Sequence, residues 1–109
     1  MKTAIHSITF GITAASAIVE RRFVDYDGNL CAAGEKALGV SHAGGADIGE
    51  ECPLALGLPV IEAGGVIAKG ASVESDATGR AVTYSAGVIN GSAVDAAAAA
   101  GDIIRIKTV

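Results

Sequence analysis

Residues 53–60 read Pro-Leu-Ala-Leu-Gly-Leu-Pro-Val and carry the clearest strand pattern in the chain. Leucine occupies every second position from Leu54, and Val60 continues the series. A repeat of two places alternate side chains on one face of a β-strand. Because proline cannot donate a backbone hydrogen bond, the two prolines predict an edge position or bulges. Gly57, in mid-strand, leaves room for another backbone to approach, which in an oligomer could belong to a neighbouring copy.

The rest of the chain predicts further short strands with turns between them. Residues 17–26 are rich in β-branched and aromatic residues and lead into an Asp-Gly-Asn turn at 27–29. Asp76 begins a second turn, in which its side chain can accept hydrogen bonds from nearby backbone N–H groups. The Asn-Gly pair at 90–91 is typical of a hairpin, and the run 94–100 is long enough for one helical turn at most. These patterns predict an all-β fold, a small antiparallel β-sandwich or barrel that is jelly-roll-like.

The first sixteen residues predict an extended N-terminal arm, ahead of a β-rich domain over residues 17–109. Lys2 and the apolar residues after it imitate a secretory signal. Polar residues interrupt that apolar run, and apolar and polar positions mostly alternate through residues 3–10. Such alternation indicates an extended strand rather than the core of a signal peptide.

Composition predicts one domain with a thin core. The chain has 109 residues, half of them hydrophobic, but no Trp, two Phe, two Tyr and 15 Gly. One domain is the expected number at this length. Large aromatic side chains dominate burial in most cores, so a chain with so few is expected to complete its stability through partner subunits.

Charge and hydropathy exclude two classes of partner. The formal net charge is −4, with only eight Lys and Arg in the chain. Binding to nucleic acid needs a basic surface that neutralises phosphates, so no nucleic-acid partner is predicted. The sequence has no apolar run long enough to span a bilayer, so no membrane partner is predicted either.

Residues with catalytic or metal-binding chemistry do not assemble into a motif. Cys31 and Cys52 form no Cys-x-x-Cys pair, and His6 and His42 lie far from a ligand cluster with them. Buried, reduced thiols are the favoured interpretation. Ser41 and His42 are adjacent in sequence, so in a strand their side chains point to opposite faces. The sequence therefore predicts no catalytic residue, no metal, no cofactor and no small-molecule substrate.

A series of short segments occurs in a set order over residues 17–107. They are Arg22-Phe23-Val24, Asp27-Gly28, Leu38-Gly39-Val40, Gly49-Glu50 before 54–60, Ala63-Gly64-Gly65 with Gly70-Ala71, Ser75-Asp76-Ala77 with Gly79-Arg80-Ala81, and Ala99-Ala100-Gly101-Asp102 before 103–106. In this order the chain resembles the phage capsid cement proteins, which are also called head decoration proteins.

That resemblance implies a non-enzymatic structural protein of the virion. Such a protein would be assembled in the host cytoplasm and bind the outer surface of the phage head as a homotrimer, where it stabilises the major capsid protein. An extended arm could add a strand to the sheet of the capsid protein. The candidate capsid contacts are Lys2, Thr3, Ile5, Ile8, Phe10 and Ile12. The candidate subunit interface comprises Leu54, Leu56, Gly57, Leu58 and Val60.

Two alternatives remain open at this point. Biotinyl and lipoyl carrier domains are small β-barrels that expose one lysine at a hairpin tip, and Lys69 lies between two apolar segments. The residues around Lys69 do not match the motifs of those carriers. The other alternative is a structural protein of another phage assembly, a tail or a spike.

Overall fold

The structure is a computed structural model that describes residues 5–42 and 44–108, with the backbone alone for residues 5–9. Within these ranges the chain forms nine strands and no helix, and therefore no helix that could cross a membrane. The strands are β1 (Ile5–Thr13), β2 (Phe23–Val24), β3 (Gly39–Ser41), β4 (Glu51–Leu58), β5 (Val60–Glu62), β6 (Ser72–Ser75), β7 (Ala81–Thr83), β8 (Gly91–Ala93) and β9 (Ile103–Thr108). The predicted all-β class is confirmed.

The strands form two antiparallel sheets packed as a sandwich. The first sheet has the order β1-β4-β3-β2, and the second has the order β5-β9-β8-β6-β7. The chain passes from the first sheet to the second at Pro59, whose carbonyl accepts a hydrogen bond from Ile106 N–H at 3.1 Å. A parallel bridge between Ala63 and Ala81 joins the end of β5 to β7. The second sheet therefore curls towards a closed barrel.

Of the two predictions for this segment, the edge position is wrong, because β4 lies inside the first sheet. The predicted irregularity is present, because the register of β1 against β4 shifts between His6 and Ile8. β1 pairs along its length on one side, and β3 pairs with it at Leu54 and Ala55 on the other. Pro53 is tolerated because its nitrogen faces the side on which β3 ends. The Pro53 carbonyl accepts the His42 N–H at 3.1 Å, so it points to that side. Because the nitrogen and the carbonyl of one strand residue point the same way, the Pro53 nitrogen faces that side too. The sequence does not reveal which strand covers β4.

The larger of the two cores lies between the sheets, and we call it the inner core. Phe23 enters it from the first sheet, and Ile104 and Ile106 enter it from β9. These three side chains are at most 1% exposed, while Arg105 and Lys107 between and after the isoleucines are not buried. The predicted alternation in the last strand is thus confirmed. The other large buried members are Val40, Ile61, Ile67 and Val73.

A smaller core covers the opposite face of the first sheet, and we call it the outer cluster. Its buried members are Ala14, Ile18, Val24, Cys52 and Leu54, with Phe10, Ile12, Leu30, Leu38 and Ala46 packed partly buried against them. Val24 follows Phe23 in β2, and consecutive strand residues point to opposite faces. The segment 14–22 lies over this cluster, where Ile18 and Ala46 exchange backbone hydrogen bonds of 2.8 and 3.0 Å.

The strand predicted over residues 17–26 is mostly wrong, because only Phe23 and Val24 are in a strand. Arg21 adopts a positive φ of 62°, which breaks an extended conformation. Its N–H donates to the Ser41 carbonyl at 2.8 Å. Ile18 before it covers the outer cluster instead of continuing the sheet, while Val19 is 51% exposed.

The hairpin predicted at residues 90–91 is also wrong. β7 and β8 both pair with β6 and not with each other. Asn90 is buried; its Oδ1 accepts the Ala37 N–H at 3.0 Å and its Nδ2 donates to the Glu35 carbonyl at 2.9 Å. The amide thus ties the segment before β3 to the second sheet. The run 94–100 forms no helical turn, which agrees with the prediction of one turn at most.

Two predicted turns are confirmed, and each is held by an aspartate. One oxygen of Asp25 accepts the N–H groups of Asp27 and Asn29, both at 2.9 Å. One oxygen of Asp76 accepts those of Thr78 and Arg80, again at 2.9 Å. Partial burial alone would raise the pKa of Asp76, but these hydrogen bonds outweigh it and lower the pKa.

Candidate interaction surfaces

The outer edge of β1 presents backbone groups that no other described strand pairs with. Ala14 N–H donates to the Glu50 carbonyl at 2.8 Å, so the even-numbered residues from 8 to 14 face β4. In an antiparallel pair the intervening residues then point their N–H and C=O groups away. Thr9 and Gly11 therefore carry outward-facing groups. Towards Thr13 the edge is closed, because Ala15 N–H donates to the Gly28 carbonyl at 2.9 Å.

The candidate capsid contacts lie mostly along this same strand. Lys2 and Thr3 lie outside the described residues. The backbones of Ile5 and Ile8 pair with Leu58 and Leu56, and Phe10 and Ile12 lie opposite Leu54 and Cys52. Phe10 and Ile12 also pack partly buried against the outer cluster, so part of each side chain already serves the fold. Contact of these residues with a capsid stays a prediction.

The candidate subunit-interface residues lie in β4 and at the start of β5. Leu54 is fully buried within the chain, whereas Leu56, Gly57, Leu58 and Val60 are half-buried. Gly57 has a φ of 100°, and its N–H donates to the Thr108 hydroxyl at 2.8 Å. β9 of the same chain therefore supplies a close neighbour at Gly57. Contact of this segment with another subunit stays a prediction.

An open groove of about 380 Å³ lies beside the second half of β4. Leu38 and Leu56 contribute half-buried apolar surface to it, and Thr108 of β9 lines it as well. Tyr26, which is 56% exposed, and Lys36 are also part of the lining, with the Lys36 ammonium 5.7 Å from the centre of the Tyr26 ring. The groove thus combines apolar surface with a cation and an aromatic ring.

Two large apolar side chains protrude from the segments between strands, and sequence reasoning missed both. Ile48 and Val66 are each 71% exposed. Ile48 follows Asp47 in a turn whose third residue, Gly49, has a φ of 83°. A positive φ at that position is typical of a type II turn. The available signal was therefore the sequence Asp-Ile-Gly-Glu at 47–50, which predicts a tight turn with an apolar corner.

Several charged side chains are engaged in holding the two sheets together. Glu62 of β5 lies 3.4 Å from the Arg22 guanidinium and 3.5 Å from that of Arg80. Arg80 also contacts Asp76 at 3.1 Å, and Arg22 donates to the Thr78 carbonyl at 3.0 Å. This network connects the residue before β2 with β5 and with the turn between β6 and β7. Its position indicates a structural role.

Glu74 holds the loop that follows β7. One of its carboxylate oxygens accepts the backbone N–H groups of Ser85, Ala86 and Gly87 at 2.6 to 3.3 Å. The Ser85 N–H bond contributes most to a lowered pKa of Glu74, and it exceeds the opposing effect of burial. Gly87 also lies against Gly34, where an added Cβ would clash with the Gly34 Cα. The loop at residues 85–87 and the segment around Gly34 therefore pack with their backbones in direct contact.

The reactive side chains are either buried, as predicted for the cysteines, or hydrogen-bonded within the fold, as is the Ser41 hydroxyl. Cys31 and Cys52 are both free and buried, and burial raises the pKa of the Cys31 thiol to about 12. The Ser41 hydroxyl donates to the Val19 carbonyl at 2.6 Å. Lys69 is exposed in the turn before β6. In the part of the chain described, no three His, Cys, Asp or Glu side chains cluster to hold a metal ion.

Comparison with known proteins gives both a family and a fold. The family model described as phage cement protein matches residues 1–108. In a crystal structure, the N base of head fiber gp8.5 of bacteriophage phi29 has a similar fold, with a TM-score of 0.77 and 19% identity. That likeness covers 94% of this chain and 93% of the other. No curated protein sequence matches significantly.

The family match covers nearly the whole chain and agrees with the segment order seen in the sequence. The fold of the phi29 protein shows independently that this β-sandwich occurs in a phage head protein. The chain therefore belongs to the phage cement proteins and is a structural protein of the phage capsid.

Proposed function

We propose that this protein is non-enzymatic, binds the outer surface of the phage head as a homotrimer and stabilises the major capsid subunits beneath it. The observation that carries the proposal is the match to the phage cement protein family over residues 1–108. The phi29 protein with the similar fold is a head fiber protein, which supports a place on the head. Copies are expected to assemble in the host cytoplasm and remain in the virion.

The open edge of β1 supports a specific mode of binding. An exposed strand edge readily accepts another strand, and main-chain hydrogen bonds then provide affinity. We propose that the first sixteen residues form the capsid contact and that the outward groups of Thr9 and Gly11 pair with a strand of the capsid protein. Many copies on one lattice would reinforce a contact that is weak in isolation.

Deleting residues 2–12 would be a poor test of this mode, because it also removes most of β1 from the first sheet. A substitution at Thr9 separates the two effects. Thr9→Pro removes an N–H that faces outward and leaves the bonds between β1 and β4 in place. Thr9→Val keeps that N–H and serves as the matched control.

Co-sedimentation with purified heads that lack the protein gives the readout. We expect Thr9→Val to bind like the wild type and Thr9→Pro to bind at least about tenfold more weakly, since several main-chain bonds depend on a continuous edge. Thermal melting of both variants checks that the fold is retained. Equal binding by the two variants would contradict the proposed pairing.

The wider proposal has its own test. Wild-type protein is incubated with mature heads, immature heads and tails, and the particles are imaged. Density on the outer surface of heads, together with heads that withstand more heating, is the expected result. Density on tails alone would favour the tail or spike alternative, and no density on either would contradict the family-based function.

A further inference from the structure

We propose that Ile48 of one copy inserts into the groove beside β4 of a second copy, so that subunits contact each other head to tail. This inference rests on the proposed oligomer and names the contact that forms it. The groove is the one lined by Tyr26, Lys36, Leu38 and Leu56.

Ile48 is held outward by its turn. Glu50 N–H donates to the Asp47 carbonyl at 3.0 Å, and Asp47 N–H donates to the Glu50 carboxylate at 2.9 Å. Gly49 N–H anchors the turn to the Ala14 carbonyl at 2.7 Å. A side chain that is 71% exposed at the corner of a turn fixed in this way cannot fold back onto the chain. Its apolar surface is therefore available to a partner.

The groove has the size and the surface to receive such a side chain. Its volume of about 380 Å³ exceeds what one isoleucine needs, and Leu38 and Leu56 offer half-buried apolar surface. Tyr26 stands exposed beside it. An apolar side chain that enters would cover all three, which is the arrangement found at the centre of protein interfaces.

The protruding turn and the groove lie towards opposite ends of the first sheet. The turn directly precedes Glu51 at the start of β4, whereas Leu56 lies five residues further along the same strand. At about 3.3 Å per residue, that separation is about 17 Å. A chain therefore cannot fill its own groove with its own Ile48. A contact between two different surfaces of identical subunits closes into a ring when the rotation allows, which suits a trimer.

The charges around the two surfaces are complementary. Asp47, Glu50 and Glu51 surround Ile48 in sequence and are exposed. Lys36, whose side chain is exposed, lines the groove. Opposite charges at the rim of an interface favour one orientation and faster association.

Two acidic residues beside the groove are already engaged within the chain. Asp25 accepts backbone N–H groups of the turn that it begins, and Glu35 accepts the Ala32 N–H at 3.0 Å. One oxygen of each carboxylate is therefore occupied by local hydrogen bonds, whereas the Lys36 ammonium lies on an exposed side chain that a partner carboxylate can reach.

The first experiment compares two serine substitutions by sedimentation velocity over a range of concentrations. Ile48→Ser should weaken association about ten- to hundredfold, because it removes a buried isoleucine side chain from each contact. Val66→Ser is the matched control, because Val66 is equally exposed on another loop. It should associate like the wild type.

The outcomes separate this inference from the function on which it rests. A wild type that stays monomeric would overturn the proposed trimer and the contact together. A wild type that associates while Ile48→Ser associates equally well would overturn the contact alone. An Ile48→Ser variant that keeps its subunits together but no longer binds heads would likewise overturn it, since Ile48 would then contact the capsid.

A charge exchange tests the groove side of the contact. Lys36→Glu should weaken association about two- to fivefold, as expected for a rim charge, with a dependence on salt. The double variant Lys36→Glu with Asp47→Lys restores opposite charges in every contact and should recover wild-type association. A double variant that associates no better than Lys36→Glu alone would contradict the proposed orientation.

Discussion

The inner core and the outer cluster occupy opposite faces of the first sheet and are built differently. The inner core lies between two sheets, and its large members, such as Phe23 and Ile104, are at most 1% exposed. The outer cluster is covered by a loop and by side chains such as Phe10 and Leu38 that remain partly exposed. We infer that the inner core holds most of the stability and that the outer cluster chiefly holds β1 against β4.

The loops around the two cores differ as well. Loops of the second sheet are fixed by single carboxylates, as Glu74 fixes residues 85–87 and Asp76 fixes its own turn. The loop over the outer cluster is fixed by backbone pairing, as between Ile18 and Ala46. We therefore expect acid to loosen these second-sheet loops, whereas the backbone pairing of Ile18 with Ala46 contains no titratable group.

Truncation of Phe23 gives the strongest test of this difference. Phe23→Ala should cost about 4 kcal/mol of the free energy of unfolding, because it opens a cavity among fully buried side chains. Urea titration of the wild type and the variant measures the loss. Tyr26→Ala is the control and should stay within about 0.5 kcal/mol, since Tyr26 is 56% exposed. A small loss at Phe23 would mean that the inner core is not the main source of stability.

Truncation in the outer cluster should cost less and act locally. Phe10→Ala should cost about 1.5 kcal/mol, because the side chain is only partly buried. Hydrogen exchange should show faster exchange of the β1 and β4 amides, while the amides of β8 and β9 change little. Equal acceleration in both sheets would show that the two cores open as one unit.

Glu74 provides a test through pH. Its pKa lies below the ordinary value of 4.5, so the carboxylate stabilises the fold above that pH. This contribution is lost as pH falls through the lowered pKa of the folded state. Glu74→Gln should therefore melt below the wild type at pH 7, with the difference shrinking in acid.

Melting curves at several pH values measure this effect. Glu51→Gln, an exposed position in β4, is the control and should melt like the wild type at neutral pH. A constant difference between wild type and Glu74→Gln at all pH values would show that shape, and not charge, accounts for the loss.

The labelling rates of the two cysteines allow the two cores to be compared without any substitution. Cys31 belongs to the inner core and Cys52 to the outer cluster, and burial raises the pKa of both thiols. Reagents that need a thiolate should react with neither until the protein opens. Because the outer cluster is less covered, Cys52 should be labelled first in mass spectrometry under native conditions. Equal labelling rates would indicate global opening only.

Local chemistry in the sequence predicted turns and the fold class well, and it predicted pairing poorly. The turns at Asp25 and Asp76 follow from side chains that reach neighbouring N–H groups, so a short stretch of sequence contains all of the cause. The roles of Asn90 and Pro53 depend on residues far along the chain: Ala37 and Glu35 for the first and β3 for the second. Such partners cannot be found from local propensity.

The same limit applies to the surfaces. Alternation over residues 54–60 predicted one strand, but β4 ends at Leu58 and Val60 begins a strand of the second sheet. The sequence also did not show that β1 covers β4 or that Leu54 is fully buried. The protruding Ile48 had a local signal in its turn, which the apolar pattern of the strands obscured. The groove beside β4 has no local signal, because its lining comes from residues far apart in the chain, such as Tyr26, Leu56 and Thr108.

The start of β1 and the end of β9 meet at one end of the molecule. Ile5 pairs with Leu58, and Thr108 bonds to Gly57 beside it. Peptides fused ahead of β1 and behind β9 would therefore leave the sandwich at the same pole, away from the turn that bears Ile48. A short linker between the two strands would therefore make a circular permutant feasible.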